Sequence, residues 1–528
     1  MIFTTNNRYQ STSSNELLVI PYVTEEELIQ RLNNLSEVKV KEIQSEKIHE
    51  KYEELQTAVD AEFWKKLNFC FQNMPSEAAG GTEQLIGVSD GTKGIVPVRF
   101  LKLRKGRNSW QECLNDTFCS LGRELTGNCG ILLEEFSFTE LTLEIITEIL
   151  VRAMYYGAYS FRKERLQEIT VKGVYSLREE LKDEKESCRV TLITGADLKS
   201  SIKKAADYGE CINYARMLGD IPSNYLHTSE FTGYLKELAK DYGIEFEALG
   251  QKELSTLHCG GILGVNSGSK EEAVLISLYY GGEKGAPITA LVGKGVMFDS
   301  GGYHLKSLSS MEGMKYDMCG AANLAAAFEI VLRQKSKINL LLLIPAVENL
   351  IGPDALRMGD VITTMSGKTV EVYNTDAEGR LILCDALTYA QKRGAGRVLD
   401  LATLTNSCRK ALGDEISGIF YNDETTGEAF MAETKHQGEK VWRLPLDQSY
   451  HRLLYRTQTA DLINYAPEGD GGASVAACFL EEFIEEGTAW IHLDIVGTSV
   501  NRSADRKQVK GASGVLAASV AAFLIQQE

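Results

Sequence analysis

From about residue 228 onward, short apolar runs rich in β-branched residues alternate with stretches of helical periodicity. This alternation predicts an α/β fold with a mostly parallel mixed sheet flanked by helices. We expect strands over residues 288–292, 338–347, 370–373, 398–401 and 490–495, and helices over residues 321–335, 380–393 and 473–485. Because ligands of such sheets bind beyond the carboxyl ends of the strands, polar residues that follow a strand are the first candidates for function.

The first part of the chain predicts a second, smaller α/β domain. Its expected elements are a strand over residues 17–23, a charged and mainly helical stretch over 25–65, a loop over 76–92 and an amphipathic helix over 145–161. Residues 174–186 are dense in charge, which predicts a solvated surface segment.

A helix predicted over residues 197–218 is followed by Pro222, a usual residue beyond a helix end, and we interpret it as a connector. The expected organisation is an N-terminal α/β domain at 1–195, a connecting helix and linker at 196–227, and a larger catalytic domain at 228–528.

Charge and cysteine content bear on partners and location. The formal net charge of −17 argues against nucleic acid or an anionic membrane as the main partner, because both bind basic patches. The 11 cysteines include no Cys-x-x-Cys pair, which predicts reduced thiols and a cytoplasmic setting. The polar stretch 1–14 lacks the pattern of a signal peptide, and no run reaches the roughly 18 apolar residues of a membrane helix.

Two polar strings that contain glycine each follow a predicted strand. The first includes Lys294, Asp299 and Asp317, and the second, at 374–380, includes Asp376 and Glu378. Each piece alone has a structural explanation: Gly-Gly beside an aspartate is usual in turns, Asp-x-Glu is usual at a helix N-terminus, and a lysine after a strand often reaches solvent. The combination of four carboxylates with lysines and an arginine favours a functional site.

Four carboxylates in one place repel one another strongly unless cations compensate them. Two divalent metal ions roughly 3.5–4 Å apart are the natural compensation in an oxygen-rich site. The lysines then need separate roles, one as a neutral amine ligand whose pKa the metal lowers and the other as a cation.

Several strings resemble the signatures of the leucine aminopeptidase family, the cytosol aminopeptidases. The most specific are NTDAEGR at 374–380, GKGVMFDSGGYHLK at 293–306 and MKYDM at 314–318. The similarity continues through LATLT at 401–405, DLIN at 461–464, TAWIHLDIVGT at 488–498 and NYARMLGDIPSNYL at 213–226. In the first domain only YGAYSFRKER at 156–165 is clearly similar. The resemblance implies a metal-dependent aminopeptidase that acts on peptides with a free N-terminus.

The resemblance also implies a role for each polar residue. The tighter of two metal ions would be held by Lys294, Asp299, Asp317 and Glu378. The more exchangeable ion would be held by Asp299, Asp376 and Glu378, with the backbone carbonyl of Asp376 as a further ligand, so that Asp299 and Glu378 bridge the pair. Lys306 would stabilise the oxyanion, and Arg380 would hold a bicarbonate ion that acts as general base.

The cofactors and assembly follow from the same resemblance. Zinc is the expected metal, while manganese, magnesium and cobalt stay open as alternatives. The family generally forms hexamers of two stacked trimers, which implies a homohexamer for this chain.

The chain departs from the family pattern near the site. Tyr303 and His304 replace a more common aliphatic–serine pair, Ser307 follows the lysine where proline is usual, and Cys319 stands where glycine or serine is frequent. His304 has an alternative as a ligand or acid, but the resemblance assigns no histidine there. Cys319 is similarly interpreted as a small core thiol rather than a ligand. The absence of His-Glu-x-x-His excludes the common zincin arrangement.

The resemblance places part of the substrate side-chain pocket at Met314, Thr403, Leu404 and Asn406. Asn406 occupies the position of a glycine and adds volume and polarity. We therefore predict a residue preference that differs from simple leucine selectivity.

Two other classes of function compete with this interpretation. A binding or scaffold protein with a dead site would have lost a ligand or Lys306, and both are present. A two-metal phosphoesterase would usually bring histidines among its ligands, and the cluster offers only His304.

Overall fold

The computed structural model describes residues 1–6, 17–22, 66, 83–89, 95–103, 109–133, 141–183, 188–466, 470–502 and 510–526. The chain divides into two compact units, one formed by Met1–Tyr159 and Glu179–Gly209 and the other by Ser160–Arg178 and Glu210–Glu528. The domain bounds expected from the sequence, 1–195, 196–227 and 228–528, stay a prediction.

The N-terminal unit is built on one sheet. Its strands are β1 (Ile2–Asn6), β2 (Leu17–Tyr22), β3 (Glu83–Ser89), β4 (Ile95–Lys102), β5 (Cys129–Leu132) and β6 (Arg189–Ile193). They lie in the order β1-β6-β5-β2-β4-β3, and the neighbours are parallel except for β3, which pairs antiparallel with β4. Helices α1 (Trp110–Glu124) and α2 (Leu143–Ala158) pack apolar residues such as Phe118 and Leu150 into one cluster with Val19 and Ile131 of the sheet.

The predictions for this unit are partly confirmed. The strand expected over 17–23 is β2, and the helix expected over 145–161 is α2. The loop expected over 76–92 is wrong at 83–89, where β3 pairs along its length with β4. Pairing with a neighbouring strand overrides the local composition there. The helical stretch expected over 25–65 and the remainder of 76–92 lie outside the described residues.

Three helices follow, α3 (Arg165–Lys172), α4 (Leu177–Asp183) and α5 (Lys199–Asp220). Helix α5 confirms the helix predicted over 197–218. The solvated segment predicted over 174–186 is wrong at Arg178, which is buried and donates two hydrogen bonds to Glu329 at 2.7 and 2.5 Å. Charge density alone misplaced this segment, because a buried arginine is stabilised by a partner that is distant in sequence.

The C-terminal unit contains a larger mixed sheet and two small ones. Its strands are β7 (Glu245–Leu249), β8 (Val274–Gly281), β9 (Ile288–Gly293), β10 (Gly295–Asp299), β11 (Asn339–Asn349), β12 (Val361–Thr363), β13 (Thr369–Glu371), β14 (Ala395–Ala402), β15 (Ser417–Tyr421), β16 (Val441–Arg443), β17 (Leu462–Ile463), β18 (Ala489–Asp494), β19 (Val500–Asn501) and β20 (Gly511–Ala512).

The larger sheet has nine strands in the order β16-β15-β18-β14-β9-β11-β8-β7, with β10 also on β11. Its central strands β18, β14, β9, β11 and β10 are parallel, while β15, β8 and β7 each join antiparallel. All 11 residues of β11 are buried, which shows that both faces of the sheet are covered. Both ends of the sheet are protected: β16 spans 3 residues, and β7 exposes Glu245 and Glu247.

The helices of this unit complete the α/β architecture. They are α6 (Thr228–Tyr242), α7 (Gln251–Thr256), α8 (Gly260–Asn266), α9 (Leu308–Met311), α10 (Cys319–Gln334), α11 (Glu378–Lys392), α12 (Asn406–Leu412), α13 (Glu424–Gln437), α14 (Gln448–Leu454), α15 (Gly472–Glu481) and α16 (Ala517–Gln526). The strands expected in this half are confirmed as β9, β11, β13, β14 and β18, and the helices as α10, α11 and α15. None of the described helices combines the length and apolarity needed to cross a membrane.

Candidate metal centre

The predicted site residues lie at the carboxyl ends of central strands and at the starts of two helices. Lys294 directly follows β9, and Asp299 ends β10. Asp317 lies in a 3-10 turn just before α10, and Glu378 is the first residue of α11. Parallel strands bring their carboxyl ends to one edge of a sheet, so residues far apart in sequence meet there.

One group of contacts surrounds the amine of Lys294. Its Nζ lies 2.9 Å from Asp317 Oδ1 and 2.7 Å from Glu378 Oε1, and it donates to the carbonyl of Thr403 at 2.7 Å. All four residues are buried. The hydroxyl of Thr403 also donates to Asp317 Oδ1 at 2.7 Å, which fixes the orientation of that carboxylate.

Gly379 allows the amine to reach this position. A Cβ atom at residue 379 would lie 2.6 Å from Lys294 Cε and 2.9 Å from its Nζ, closer than van der Waals contact permits. The glycine in the string at 374–380 therefore serves a close approach of a side chain.

A second group of contacts surrounds Lys306. Its Nζ lies 2.7 Å from Asp299 Oδ2 and also forms an ion pair with Asp376. Carboxylate oxygens of Asp299, Asp376 and Glu378 lie within 4.8 Å of one another, which joins the two groups into one site.

Burial and mutual repulsion govern the carboxylates. Burial, reinforced by the charges of Asp299 and Glu378, raises the pKa of Asp376 to about 7. Burial also raises the pKa of Asp299 and of Asp317. It acts on Glu378 as well, but the two lysines outweigh it and hold the pKa of Glu378 below its ordinary value. Carboxylic acids with raised pKa values indicate a site in which negative charge is undercompensated.

The pKa values of the two lysines are raised as well, but by the neighbouring charges rather than by burial. Burial opposes their positive charge, yet the surrounding carboxylates outweigh it and raise the pKa of both Lys294 and Lys306. Two ammonium groups against four carboxylates leave the site short of positive charge.

The donor set fits divalent cations. Asp317 Oδ2 is buried and has no hydrogen-bond partner among the described residues, so it is available as a ligand atom. Carboxylate oxygens with an amine nitrogen form a hard ligand set that accepts several divalent metals. The added positive charge would supply the compensation that the two lysines leave incomplete.

Two asparagines that the sequence analysis missed hold the site together. Asn349 ends β11 and donates from Nδ2 to Asp299 Oδ1 at 2.8 Å. Asn464 is fully buried, and its Oδ1 accepts from the backbone N–H groups of Tyr373 and Asn374, at 2.9 and 3.1 Å, in the loop that carries Asp376. The string DLIN at 461–464 contains Asn464 and was a signal that could have identified it.

Arg380 is buried beside this loop. Its Nη1 donates to the carbonyl of Asn464 at 2.8 Å, while its Nε has no hydrogen-bond partner within the described ranges. Burial lowers the pKa of the guanidinium to about 10, against the raising effect of Glu378. The free Nε donor gives Arg380 capacity for one more oxygen acceptor.

The predicted pocket residues are only partly brought together. Thr403 contacts Asp317, and Leu404 lies beside the metal centre, since a Cβ at Gly379 would be 3.0 Å from Leu404 Cδ1. Met314 begins the 3-10 turn and is half-buried, and Asn406 is the exposed first residue of α12.

The two other candidates are placed differently from the site residues. The ring of His304 is exposed, and its backbone N–H donates to Thr375 Oγ1 at 2.8 Å. The thiol of Cys319 is buried and faces Gly219, where a Cβ would lie 3.1 Å from its Sγ. Burial raises the pKa of Cys319, as expected for a core thiol.

Comparison with known proteins gives consistent matches. The model of the cytosol aminopeptidase family, catalytic domain, matches residues 213–521. The chain is 40% identical over 339 residues to a probable cytosol aminopeptidase of Vesicomyosocius okutanii, covering 64% of this chain and 70% of that protein. Identity to the probable cytosol aminopeptidase of Bacillus subtilis is 40% over 326 residues, which cover 62% of this chain and 65% of that protein. Identity to the probable cytosol aminopeptidase of Paraburkholderia xenovorans is 42% over 331 residues, which cover 62% of this chain and 64% of that protein.

Solved structures support the fold over the whole chain. The bottromycin maturation enzyme BotP in complex with Mn superposes with a TM-score of 0.75 at 23% identity, covering 97% of this chain and 99% of that one. A second solved structure of the bottromycin maturation enzyme BotP gives a TM-score of 0.76 at the same identity and coverage.

Proposed function

Because the chain belongs to the cytosol aminopeptidase family and is therefore a metal-dependent aminopeptidase, we propose that it releases N-terminal residues from peptides at a two-metal site. The observation that carries the proposal is the convergence of Asp299, Asp317, Asp376 and Glu378 around the buried Lys294 and the partly buried Lys306. The free α-amine of a peptide, in its neutral form, is a further donor that such a site would accept, and this would favour cleavage of the first peptide bond over internal ones.

The proposed ligand set for the tighter metal ion is Lys294, Asp299, Asp317 and Glu378. The proposed set for the second ion is Asp299, Asp376 and Glu378, with the carbonyl of Asp376. The contacts of Lys294 with Asp317 and Glu378, and the close approach of the other carboxylates, support these assignments. Zinc is the proposed metal, with manganese, magnesium and cobalt as alternatives. When bound, the metal ions would supply Lewis acidity and an activated water.

Lys306 is the proposed electrostatic catalyst. Its ammonium group is held between Asp299 and Asp376, and these carboxylates keep it charged despite its burial. A fixed cation at this point stabilises negative charge that develops on the oxygen of the scissile carbonyl. Among the four carboxylates of the site, Asp376 has the most exposed side chain, at 28%, which favours an opening for substrate on its side of the cluster.

Arg380 is proposed to hold bicarbonate as the general base. Its Nε is buried and has no hydrogen-bond partner in the part of the chain that the structure describes, which suits it to a planar oxyanion, and the hydrogen bond from Nη1 orients the guanidinium plane. A small anion held there would accept the proton lost by the attacking water.

The names of the relatives support a cytoplasmic location, and the homohexamer remains a proposal from the family resemblance.

Variants of the full-length chain test the mechanism. We expect Asp376→Asn to lose bound metal and aminopeptidase activity together. Lys306→Met should keep its metal but lose about 10²–10³-fold in kcat, because one preorganised charge at the oxyanion is removed. Metal analysis and kinetics on leucyl, alanyl and cysteinyl-glycine substrates, with a phosphate ester alongside, provide the measurements. Lys335→Met, at an exposed helix end, is the matched control.

Three outcomes would contradict the proposal: full activity in Lys306→Met, activity that survives complete metal removal, or hydrolysis of the phosphate ester in preference to the amides.

The same panel of substrates tests the proposed side-chain pocket. If Asn406 shapes residue preference, Asn406→Gly should move the optimum towards leucine, whereas an unchanged leucine optimum in both proteins opposes that role.

A further inference from the structure

A second cluster of metal-ligating side chains lies on helices α14 and α15, and it shares no residue with the metal centre. His451, Cys478 and Glu481 each offer a ligand atom, and these atoms lie within 4.8 Å of one another. Cys478 and Glu481 are three positions apart on α15, so both face the same side of the helix. His451 comes from α14, which packs against that side.

The histidine is oriented as metal-binding histidines usually are. Nδ1 of His451 lies 2.9 Å from Glu482 Oε1, and this carboxylate is itself held by the hydroxyl of Tyr455 at 2.6 Å and by Lys368 at 3.1 Å. A carboxylate on Nδ1 directs the lone pair of Nε2 towards the metal in many zinc sites. Here Nε2 points at Glu481 Oε2, 2.9 Å away.

Burial and chemistry favour a borderline-soft cation. The thiol of Cys478 is fully buried and donates to the carbonyl of Asp447 at 4.0 Å. His451 is 9% exposed, and Glu481 lines a cavity of about 440 Å³ together with Tyr421 and Arg443. Imidazole, thiolate and carboxylate together select zinc over magnesium or calcium. The cavity supplies a route of entry and room for a fourth, exchangeable ligand.

We propose that His451, Cys478 and Glu481 bind a third, mononuclear zinc ion, with Glu482 orienting the imidazole ring. Adjacent ligands of a tetrahedral zinc ion lie about 3.3–3.7 Å apart, so the His451–Glu481 separation of 2.9 Å opens slightly as the ion replaces their hydrogen bond. The protons of the thiol and of Nε2 leave to solvent on binding. The ion joins α14 to α15 and stabilises this region independently of the catalytic metals.

Cobalt is the probe for this site. The full-length chain is stripped of metal and titrated with Co²⁺, while metal content and the near-ultraviolet spectrum are recorded. We expect three ions per chain and a thiolate-to-cobalt charge-transfer band. The band reports on this site alone, because the proposed catalytic centre has no thiolate ligand. Cys478→Ser should lose the band and one ion, whereas Cys319→Ser, a buried cysteine beside the catalytic centre, should keep both.

Further variants keep the test decisive if Cys478→Ser does not fold. His451→Gln and Glu481→Gln should each lose one zinc ion, and Glu482→Gln should weaken its binding about 10–100-fold. The exposed residues His436 and Glu486 provide matched controls as His436→Gln and Glu486→Gln. An Asp376→Asn, Glu378→Gln double variant should lose the catalytic metals and retain the band, which separates this site from the proposed function. The proposal would be overturned if the wild type became saturated with Co²⁺ without a charge-transfer band, or if the band persisted in Cys478→Ser.

Discussion

At the scale of single residues, the candidate site depends on a glycine that lacks a side chain as well as on the charged side chains themselves. The amine of Lys294 contacts two carboxylates only because Gly379 has no side chain at the point of closest approach. Gly379 is the second residue of the helix that begins with Glu378. One glycine thus sets the distance between a lysine and the carboxylates around it.

Gly379→Ala should therefore displace the lysine amine. We expect metal affinity to fall about 10–100-fold, the range typical of changes that move a ligand without removing it. Metal retention during dialysis and kcat/KM are the measurements. Gly396→Ala is the matched control, because a Cβ at that position meets no atom within 4 Å. Unchanged metal retention in Gly379→Ala would show that the amine does not need this space.

The predictability of the site follows from distance along the chain. Lys294, Asp299, Asp376 and Glu378 were predicted because each follows a recognisable strand within a short polar string. Asn349 was missed because its bond to Asp299 joins positions 50 apart, which no local pattern records. The free Nε of Arg380 is likewise visible only once its neighbours are placed.

At the scale of elements, a buried ionic network fixes helix α10. Arg178 donates to Glu329 through both terminal nitrogens, and Arg333, one turn further along α10, donates to the same carboxylate. The guanidinium of Arg178 also lies 4.0 Å from the ring centre of Tyr214. Burial opposes the charge of Glu329, but the two arginines outweigh it and lower its pKa to about 2.

Arg178→Met should destabilise the protein by about 3–5 kcal/mol, because it leaves a buried carboxylate short of a partner. In the wild type, this contribution is fully present above about pH 4.5, the ordinary pKa of the group, and is lost as the pH falls towards 2. In the variant, the pKa of Glu329 is less depressed, so this contribution is smaller and its loss, which starts from the same ordinary pKa, is complete at a higher pH.

Denaturant unfolding across this pH range provides the measurement. Arg357→Met is the control, since Arg357 forms an exposed pair with Asp360 at 3.5 Å and should cost under about 1 kcal/mol. Equal effects of the two substitutions would show that the buried network contributes no more than a surface pair.

Four central strands of the larger sheet were predicted, and its outer strands were not. The central strands β9, β11, β14 and β18 are apolar over nearly their whole length and were all predicted. Strands β7 and β16 were not predicted, because one is largely exposed and the other spans 3 residues, and β15 was also missed although all 5 of its residues are buried. Arg178 was assigned to solvent for a related reason, since a charged residue gives no sign in sequence of a buried partner.

At the scale of the whole molecule, the metal centre concentrates a general excess of acid. The chain carries a net charge of −17, and three of the four carboxylates of the site, Asp299, Asp317 and Glu378, lie where burial keeps solvent from screening them. Divalent cations that bind the folded state therefore contribute directly to its stability.

Removal of metal should lower the midpoint of thermal unfolding by several degrees, and restored metal should recover it. An ion at 100 times its dissociation constant stabilises the folded state by about 2.7 kcal/mol. Differential scanning calorimetry with and without chelator measures the change. The Asp376→Asn, Glu378→Gln double variant should respond less than the wild type. Identical midpoints for stripped and loaded wild type would contradict a stabilising role.

The protected ends of the nine-stranded sheet have a consequence for life at high concentration. The outer strands of a sheet have unpaired backbone donors and acceptors. A strand of another chain can pair with them, as happens in amyloid fibrils. The brevity of β16 and the glutamates of β7 deny an incoming strand both length and charge compatibility. The fold can therefore contain a large apolar sheet whose ends do not promote edge-to-edge aggregation of one molecule with the next.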